Sequence, residues 1–243
     1  MQVLRSLAFQ IYLYAVSAVM TIGALPTLIM PRRFAVKAAN IWSRLQLWGA
    51  AHITGITYEI RGAENLPDGP CLIACKHQSM WDTIFWAVGA KDPAIVAKKE
   101  LTYVPLYGLY VRKVGMISID RSTGATAIRR LVSQGRKAIA DGRPIMIFPE
   151  GSRMLPGAAP DYKPGVAALY NRLDVPCIPV ALNSGLFWAR RALHREPGTI
   201  VVDILPAIPS GLKRREFMAR LEGAIEPATA RLIAEAKAKK AAR

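Results

Sequence analysis

Cysteine and histidine are scarce in this sequence, with three of each among 243 residues. Cys71, Cys75 and Cys177 lie in apolar runs that are typical of strands, and no C-x-x-C pair occurs. These positions indicate small buried side chains rather than disulfide partners, and a chain without disulfides is typical of a reducing compartment. Because potential ligands at suitable spacing are too few, we predict no metal site.

Acidic residues are also few, since 17 Asp and Glu stand against 33 Lys and Arg, a net charge of +16. This excess favours a polyanionic partner, which is nucleic acid, anionic lipid or a phosphate-bearing small molecule. The hydrophobic content of 52% and the mean hydropathy of +0.20 are unusual for a soluble nucleic-acid binder. We therefore predict an anionic membrane surface as a partner, and no nucleic acid.

Three common catalytic signatures are missing from the sequence. Without a G-x-S-x-G elbow, a serine hydrolase of the α/β-hydrolase type is excluded. Without G-x-x-x-x-G-K-[ST] or G-x-G-x-x-G, the usual phosphate loops of nucleotide-binding enzymes are excluded as well.

The N-terminal region has no charged residue from Ser6 to Met30. Residues 7–25 would form a helix of roughly 28 Å, close to the thickness of the hydrocarbon core of a bilayer. A second stretch, Phe34 to Trp48, alternates apolar and basic residues in a way that is typical of an interfacial amphipathic helix. A spanning helix, an interfacial hairpin and a buried soluble helix all fit this pattern. A signal peptide fits less well, because the apolar run is too long and no A-x-A site follows it.

Basic residues are more numerous after the apolar run than before it. Arg32, Arg33, Lys37 and Arg44 follow it, and Arg5 alone precedes it. By the positive-inside rule, the main body of the protein is expected at the cytoplasmic face of the membrane.

The character of the sequence changes after Gly55, where apolar strand-like runs begin to alternate with helical patterns. We therefore divide the chain into a membrane-associated helical segment, residues 1–54, and an α/β domain, residues 55–243. The alternation predicts a largely parallel or mixed sheet flanked by helices. The tail from Lys213 is predicted to be helical and to be interrupted at Pro227.

Polar clusters follow four of the predicted strands directly. They are His77–Asp82, Lys98–Lys99, Arg121 and Glu150–Arg153. Because parallel strands place their carboxyl ends at one edge of a sheet, we expect these segments to converge on one site. Their basic side chains and the His–Asp pair indicate a site that binds an anionic substrate and removes a proton from it.

His77 is the one histidine in a setting that suggests chemistry, because it follows an apolar run and precedes Asp82 by five residues. We expect His77 on the turn that leaves a strand and Asp82 in the first turn of the next helix. The carboxylate would then fix one imidazole tautomer and leave the other nitrogen free to accept a proton. His52 and His194 lack such a setting and are predicted to be ordinary surface or interface histidines.

These segments resemble the conserved blocks of the glycerolipid acyltransferase family, whose HxxxxD motif matches His77–Asp82. Downstream matches follow in the family's order over about a hundred residues: Lys98–Leu101, Gly115–Arg121, Phe148–Arg153 and Val175–Val180. The resemblance is most specific to the 1-acylglycerol-3-phosphate acyltransferases, and it implies a glycerol-3-phosphate acyltransferase-like fold. Two departures are Lys76, where the family commonly has asparagine, and Ser152 in place of threonine.

The resemblance implies acyl transfer from a thioester to the free hydroxyl of lysophosphatidic acid, giving phosphatidic acid. A thioester is already activated, so neither a cofactor nor a covalent acyl-enzyme is expected, and either acyl-coenzyme A or acyl carrier protein would serve as the donor. His77 would be the general base and Asp82 would stabilise its charged form. Arg121 and Arg153 would hold the phosphate of the acceptor.

Three further residues receive roles in this hypothesis. The amide of Gly151 or the ammonium of Lys99 would stabilise the developing oxyanion, and Glu150 would orient an arginine or the acceptor. Two alternatives stay open. The acceptor could be another lysolipid or glycerol 3-phosphate, and a non-enzymatic module that binds anionic lipids would also explain the charge.

Overall fold

A seven-stranded sheet lies at the centre of the protein, whose computed structural model describes residues 1–120 and 124–242. Its strands follow the order β1-β7-β6-β2-β5-β3-β4. Their bounds are β1 Ile56–Arg61, β2 Leu72–Cys75, β3 Ala94–Lys98, β4 Ile117–Ile119, β5 Ile145–Ile147, β6 Cys177–Leu182 and β7 Gly198–Ile204.

The sheet is mixed, because β6 and β7 pair antiparallel while all other neighbours pair parallel. Strands β2 to β6 therefore run in one direction, and β1 and β7 run in the other. The carboxyl ends of β2, β3, β4 and β5 lie at the same edge of the sheet. The predicted fold class is thus confirmed, and the strands that precede the four polar clusters end on one side.

Helices cover both faces of the sheet. They are α1 Gln2–Gly23, α2 Arg32–Gly49, α3 Met80–Gly89, α4 Tyr107–Lys113, α5 Ala125–Ala140, α6 Pro164–Leu173 and α7 Arg214–Ala241. The position of β2 between two layers of helices explains why its sequence is apolar without interruption. Ile73 and Cys75 face a core that α1, α2 and α3 complete, whereas Leu72 and Ala74 face a core formed with α5, α6 and α7. A strand covered on both faces needs apolar residues at every position.

The first helix, α1, docks on the rest of the protein along one side only. The ring of Phe9 meets Trp188 edge to face at 5.2 Å, and the Ser6 hydroxyl accepts the Arg195 N–H at 2.9 Å. The opposite side exposes large apolar residues: Val3, Leu4, Leu7, Ile11, Tyr14, Val19 and Ile22. By its length and composition, α1 is able to cross a membrane.

The last helix, α7, continues through Pro227, so the predicted interruption is wrong. A proline inside a helix leaves the carbonyl four residues earlier, here that of Gly223, without its usual donor. Both Pro227 and Gly223 are exposed. Water can therefore satisfy the free carbonyl, and the buried side of α7, which includes Leu221 and Ile225, stays continuous.

Candidate active site

The turn between β2 and α3 carries the HxxxxD segment and is shaped by a capping box. Ser79 is the N-cap of α3, and its side-chain oxygen accepts the backbone N–H of Trp81 at 3.1 Å. In return, the Asp82 carboxylate accepts the Ser79 N–H at 2.9 Å. The Ser-x-x-Asp spacing is therefore what fixes the carboxylate next to the turn.

The same oxygen of Asp82, Oδ2, also lies 2.9 Å from Nδ1 of His77 and accepts the N–H of Gln78 at 2.8 Å. Asp82 is fully buried. Because a carboxylate can only accept, Nδ1 of His77 carries the proton and Nε2 keeps its lone pair. The buried carboxylate thus orients the imidazole, while the role of His77 as a general base stays a prediction.

The His77 ring is held from a second direction by Phe148, which follows β5. The two rings stack with centroids 3.7 Å apart and planes 14° from parallel. The His77 carbonyl accepts the N–H of Met154 at 2.8 Å. The loop after β5 thus fixes both the side chain and the backbone of His77, whose side chain keeps 12% of its surface exposed.

A third loop, between β6 and β7, closes against these two. The N–H of Gly185 donates to Oε1 of Gln78 at 3.0 Å. A Cβ atom at Gly185 would lie 2.8 Å from Cγ of Pro156 and 3.0 Å from Cβ of Gln78, which explains the glycine at this close approach. No motif in the sequence predicts this contact, because residues 78 and 185 are distant in the chain.

Arg153 lies in this group of loops and is accompanied by two arginines that the sequence analysis missed. Nη1 of Arg190 donates to the Arg153 carbonyl at 3.0 Å. Burial lowers the pKa of Arg153, the charges of Arg190 and Arg191 add to this effect, and Asp82 opposes it. In the described part of the chain, none of the three guanidinium groups forms a salt bridge with a carboxylate. The positive charges of Arg190 and Arg191 near Arg153 favour the binding of an anion in this region.

Glu150 differs from its predicted role. Its Oε1 accepts from the Lys76 ammonium at 2.7 Å, and the side chain has no exposed surface. The carboxylate therefore points away from solvent and toward Lys76, not toward an arginine or an incoming acceptor. Lys76, the residue that departs from the common asparagine, is the reason.

The two predicted oxyanion donors are already engaged. The amide of Gly151, at φ +66°, donates to the Phe148 carbonyl at 2.9 Å in a tight turn. The Lys99 ammonium donates to Asp120 at 3.1 Å and borders a cavity of about 300 Å³ with Arg112 and Arg130. The described lining of this cavity does not include His77. Arg121 lies outside the described residues.

Other nucleophiles and ligands contribute little here. Burial raises the pKa of Cys71 to about 11 and raises that of Cys75 well above its ordinary value, so both thiols stay protonated. Among residues 1–120 and 124–242, no group of three or more His, Cys, Asp or Glu side chains could hold a metal ion. His52 contacts the Trp48 carbonyl, and His194 pairs with Glu196 at the surface.

An imidazole oriented by a buried carboxylate, at the carboxyl end of a central strand, is typical of an α/β enzyme. Comparison with known proteins identifies the class further. The Acyltransferase family model matches residues 57–183, which is more than half of the chain. The chain belongs to this family, and it is an acyltransferase.

Individual relatives agree with the family. The chain is 35% identical over 210 residues to the 1-acyl-sn-glycerol-3-phosphate acyltransferase of Pseudomonas aeruginosa, covering 85% of this chain and 81% of the relative. It is 28% identical over 172 residues to 1-acyl-sn-glycerol-3-phosphate acyltransferase beta of Homo sapiens, covering 69% and 62%. The crystal structure of the LPA acyltransferase PlsC from Thermotoga maritima has the same fold, with a TM-score of 0.78 at 19% identity over 98% of both chains.

Proposed function

We propose that this protein transfers an acyl chain from an acyl thioester to the sn-2 hydroxyl of 1-acylglycerol 3-phosphate, giving phosphatidic acid. The names of its relatives support this substrate. The single observation that carries the chemistry is the 2.9 Å contact between His77 Nδ1 and Asp82 Oδ2, which leaves Nε2 available as a base.

In the proposed mechanism, Nε2 of His77 removes the hydroxyl proton as the oxygen attacks the thioester carbonyl. Asp82 stabilises the imidazolium that forms. The tetrahedral intermediate then collapses, the C–S bond breaks, and the thiolate takes the proton back from His77. A C–O bond has replaced a C–S bond, and the enzyme returns to its starting state without a covalent acyl-enzyme. General-base assistance of this kind is worth roughly 10²–10⁴ in rate.

Arg153 is proposed to bind the acceptor's phosphate, with Arg190 and Arg191 adding to the positive field around it. A guanidinium fork is well matched to phosphate oxygens. Arg121 keeps this role as a prediction from its motif, and Lys99, whose ammonium has further N–H donors, stays the candidate oxyanion donor. The predicted role of Gly151 would require its amide to leave the Phe148 carbonyl. The donor is acyl-coenzyme A or acyl carrier protein, and no metal or other cofactor takes part in the proposed reaction.

Membrane binding through α1 is part of the proposal, because a lysolipid acceptor resides in a bilayer. The side of α1 that contacts the protein body is fixed by Phe9 and Ser6, whereas its apolar other side is free to enter lipid. This arrangement favours a hairpin that lies in one leaflet over a helix that crosses the bilayer. The basic residues after α1 favour the cytoplasmic face.

The test is an acyl-transfer assay with purified protein in anionic vesicles, with labelled acyl-coenzyme A and acyl carrier protein as donors. Lysophosphatidic acid, lysophosphatidylcholine and glycerol 3-phosphate are compared as acceptors. We expect lysophosphatidic acid to react fastest and His77→Ala to lower its rate at least 100-fold. His52→Ala, which removes another imidazole, is the matched control. Equal rates for His77→Ala and the wild type would contradict the mechanism, and vesicle binding without acyl transfer would favour a lipid-binding module.

A further inference from the structure

A buried cluster of charges lies directly behind the turn that carries His77. The Lys76 ammonium contacts Oε1 of Glu150 at 2.7 Å and the two carboxylate oxygens of Glu226 at 2.8 and 2.9 Å. The Tyr162 hydroxyl donates to Oε1 of Glu226 at 2.7 Å. The Lys76 side chain is 2% exposed, that of Glu150 has no exposed surface, and that of Glu226 is 23% exposed.

The four members come from different parts of the chain. Lys76 directly follows β2 and precedes His77, Glu150 follows β5, Tyr162 precedes α6, and Glu226 lies in the middle of α7. Glu226 is outside residues 57–183, the part that the family model matches. The cluster thus connects the C-terminal helix to the catalytic turn through contacts that no motif in the matched region accounts for.

Lys76 is shared by two carboxylates, and removing either carboxylate from the lysine is expected to cost free energy. A buried ammonium or carboxylate without its partner is strongly unfavourable, because the protein interior solvates charge poorly. Burial raises the pKa of Glu150, Lys76 lowers it, and Glu226 raises it. Burial and Glu226 also raise the pKa of Tyr162, so this hydroxyl keeps the proton that it donates. The position of Lys76 is therefore set from both sides.

We propose that Glu226 is a positioning residue for acyl transfer, which acts by holding Lys76 against Glu150 and so fixes the turn that bears His77. This inference rests on the proposed function. The adjacent residue His77 must keep Nε2 directed at the acceptor hydroxyl, and a displacement of about 1 Å at such a site can cost on the order of 100-fold in rate. The C-terminal helix then supports the active site through the contact of Glu226 with Lys76.

The first experiment compares steady-state kinetics of Glu226→Gln with the wild type in anionic vesicles, with lysophosphatidic acid as acceptor. We expect kcat to fall by about 10- to 100-fold while KM for both acceptor and donor stays within about twofold, because positioning acts in the transition state. Glu216→Gln is the matched control. It removes the same charge from the same helix, but Glu216 is exposed and pairs only with Arg220 among the described residues.

The second experiment measures how kcat depends on pH. Glu150 faces Lys76 and Glu226, with Tyr162 behind Glu226 and the backbone of His77 beside it. In the wild type, protonation of Glu150 at low pH weakens its contact with Lys76, so the titration of Glu150 is expected to contribute to the acid limb of the kcat profile. Glu226→Gln removes a charge that raises the pKa of Glu150, so the acid limb of this variant's kcat profile is expected not to move to higher pH.

Tyr162→Phe serves as a second variant if Glu226→Gln does not fold, because it keeps every charge and loses one hydrogen bond. Its kcat is expected to fall by about two- to tenfold with KM unchanged. Wild-type kcat in both Glu226→Gln and Tyr162→Phe would overturn the inference, and so would an acid limb that moves to higher pH in Glu226→Gln. The proposed function is tested separately by His77→Ala. An inactive His77→Ala beside a fully active Glu226→Gln would leave the function standing and remove only the role of Glu226.

Discussion

The N–H of Met154 donates to the carbonyl of His77 at 2.8 Å, so the loop after β5 is joined to the turn after β2 by the backbone of the histidine itself. The stacking of Phe148 on the His77 ring reinforces this connection from the same loop. The His77–Asp82 and Phe148–Arg153 segments, about seventy residues apart in the sequence, are thus connected to each other at His77. The orientation of His77 depends on Asp82 from one side and on this loop from the other.

Asp82→Asn tests the orientation of the base directly. Asparagine has nearly the same size but offers an uncharged amide to Nδ1, so we expect kcat to fall by about 10²–10⁴ with little change in KM. Helix α3 should stay folded, at a cost of about 1 kcal/mol for the weakened cap. Because the two residues act as a unit, His77→Ala with Asp82→Asn should be no slower than His77→Ala alone. A loss smaller than tenfold in kcat for Asp82→Asn would argue against an oriented base.

Arg153→Lys tests phosphate recognition. Lysine keeps the positive charge but loses the fork that can bind two phosphate oxygens, so KM for lysophosphatidic acid should rise at least about tenfold. The KM for the acyl donor and the rate with an uncharged monoacylglycerol should stay unchanged. Arg172→Lys, at an exposed position on α6, is the control. If the donor's KM rises instead, Arg153 serves the phosphates of the donor.

Arg190 and Arg191 are expected to act through their field rather than through a single contact. Replacing both by glutamine should lower kcat/KM for lysophosphatidic acid at low ionic strength, by about tenfold, and should make this constant less sensitive to salt. Replacing Arg214 and Arg215, which are exposed at the start of α7, removes the same charge far from the loops of the active site. An equal loss in both double variants would mean that only the net charge matters.

The local parts of the site could be predicted from the sequence because they depend on neighbours in the chain. An apolar run, a Ser-x-x-Asp cap and a histidine before it determine the strand, the helix start and the contact between His77 and Asp82. The partner of Glu150 could not be predicted in this way. Lys76 is 74 residues from Glu150 and 150 residues from Glu226, so their pairing exists only after the sheet and α7 have come together.

The fold shows the same distinction between local and distant effects. Alternating strands and helices predicted a largely parallel or mixed sheet, which is confirmed. The place of the reversal, at β7, depends on the loop between β6 and β7, which contains no helix long enough for a crossover. At Pro227, local propensity predicted a break in the helix. The helix continues because the carbonyl of Gly223, which lacks its usual donor, is on the exposed side and can bond to water. The contact of Arg190 with Arg153 likewise depends on the course of the loop between β6 and β7, and no sequence motif predicts it.

The exposed side of α1 provides the last prediction, which concerns binding to lipid. The side chain of Ile11 is 64% exposed, and transferring it from water to lipid is worth about 2 kcal/mol. Ile11→Glu should therefore weaken binding to anionic vesicles by at least about tenfold in a flotation or sedimentation assay. Ile60→Glu is the control, since Ile60 is 42% exposed but lies on the edge strand β1. Because the acceptor resides in the bilayer, Ile11→Glu should also lower acyl transfer to vesicle-bound lysophosphatidic acid, while transfer to the same lipid dissolved in detergent should be retained. Equal binding by Ile11→Glu and Ile60→Glu would show that α1 does not enter the membrane through this side.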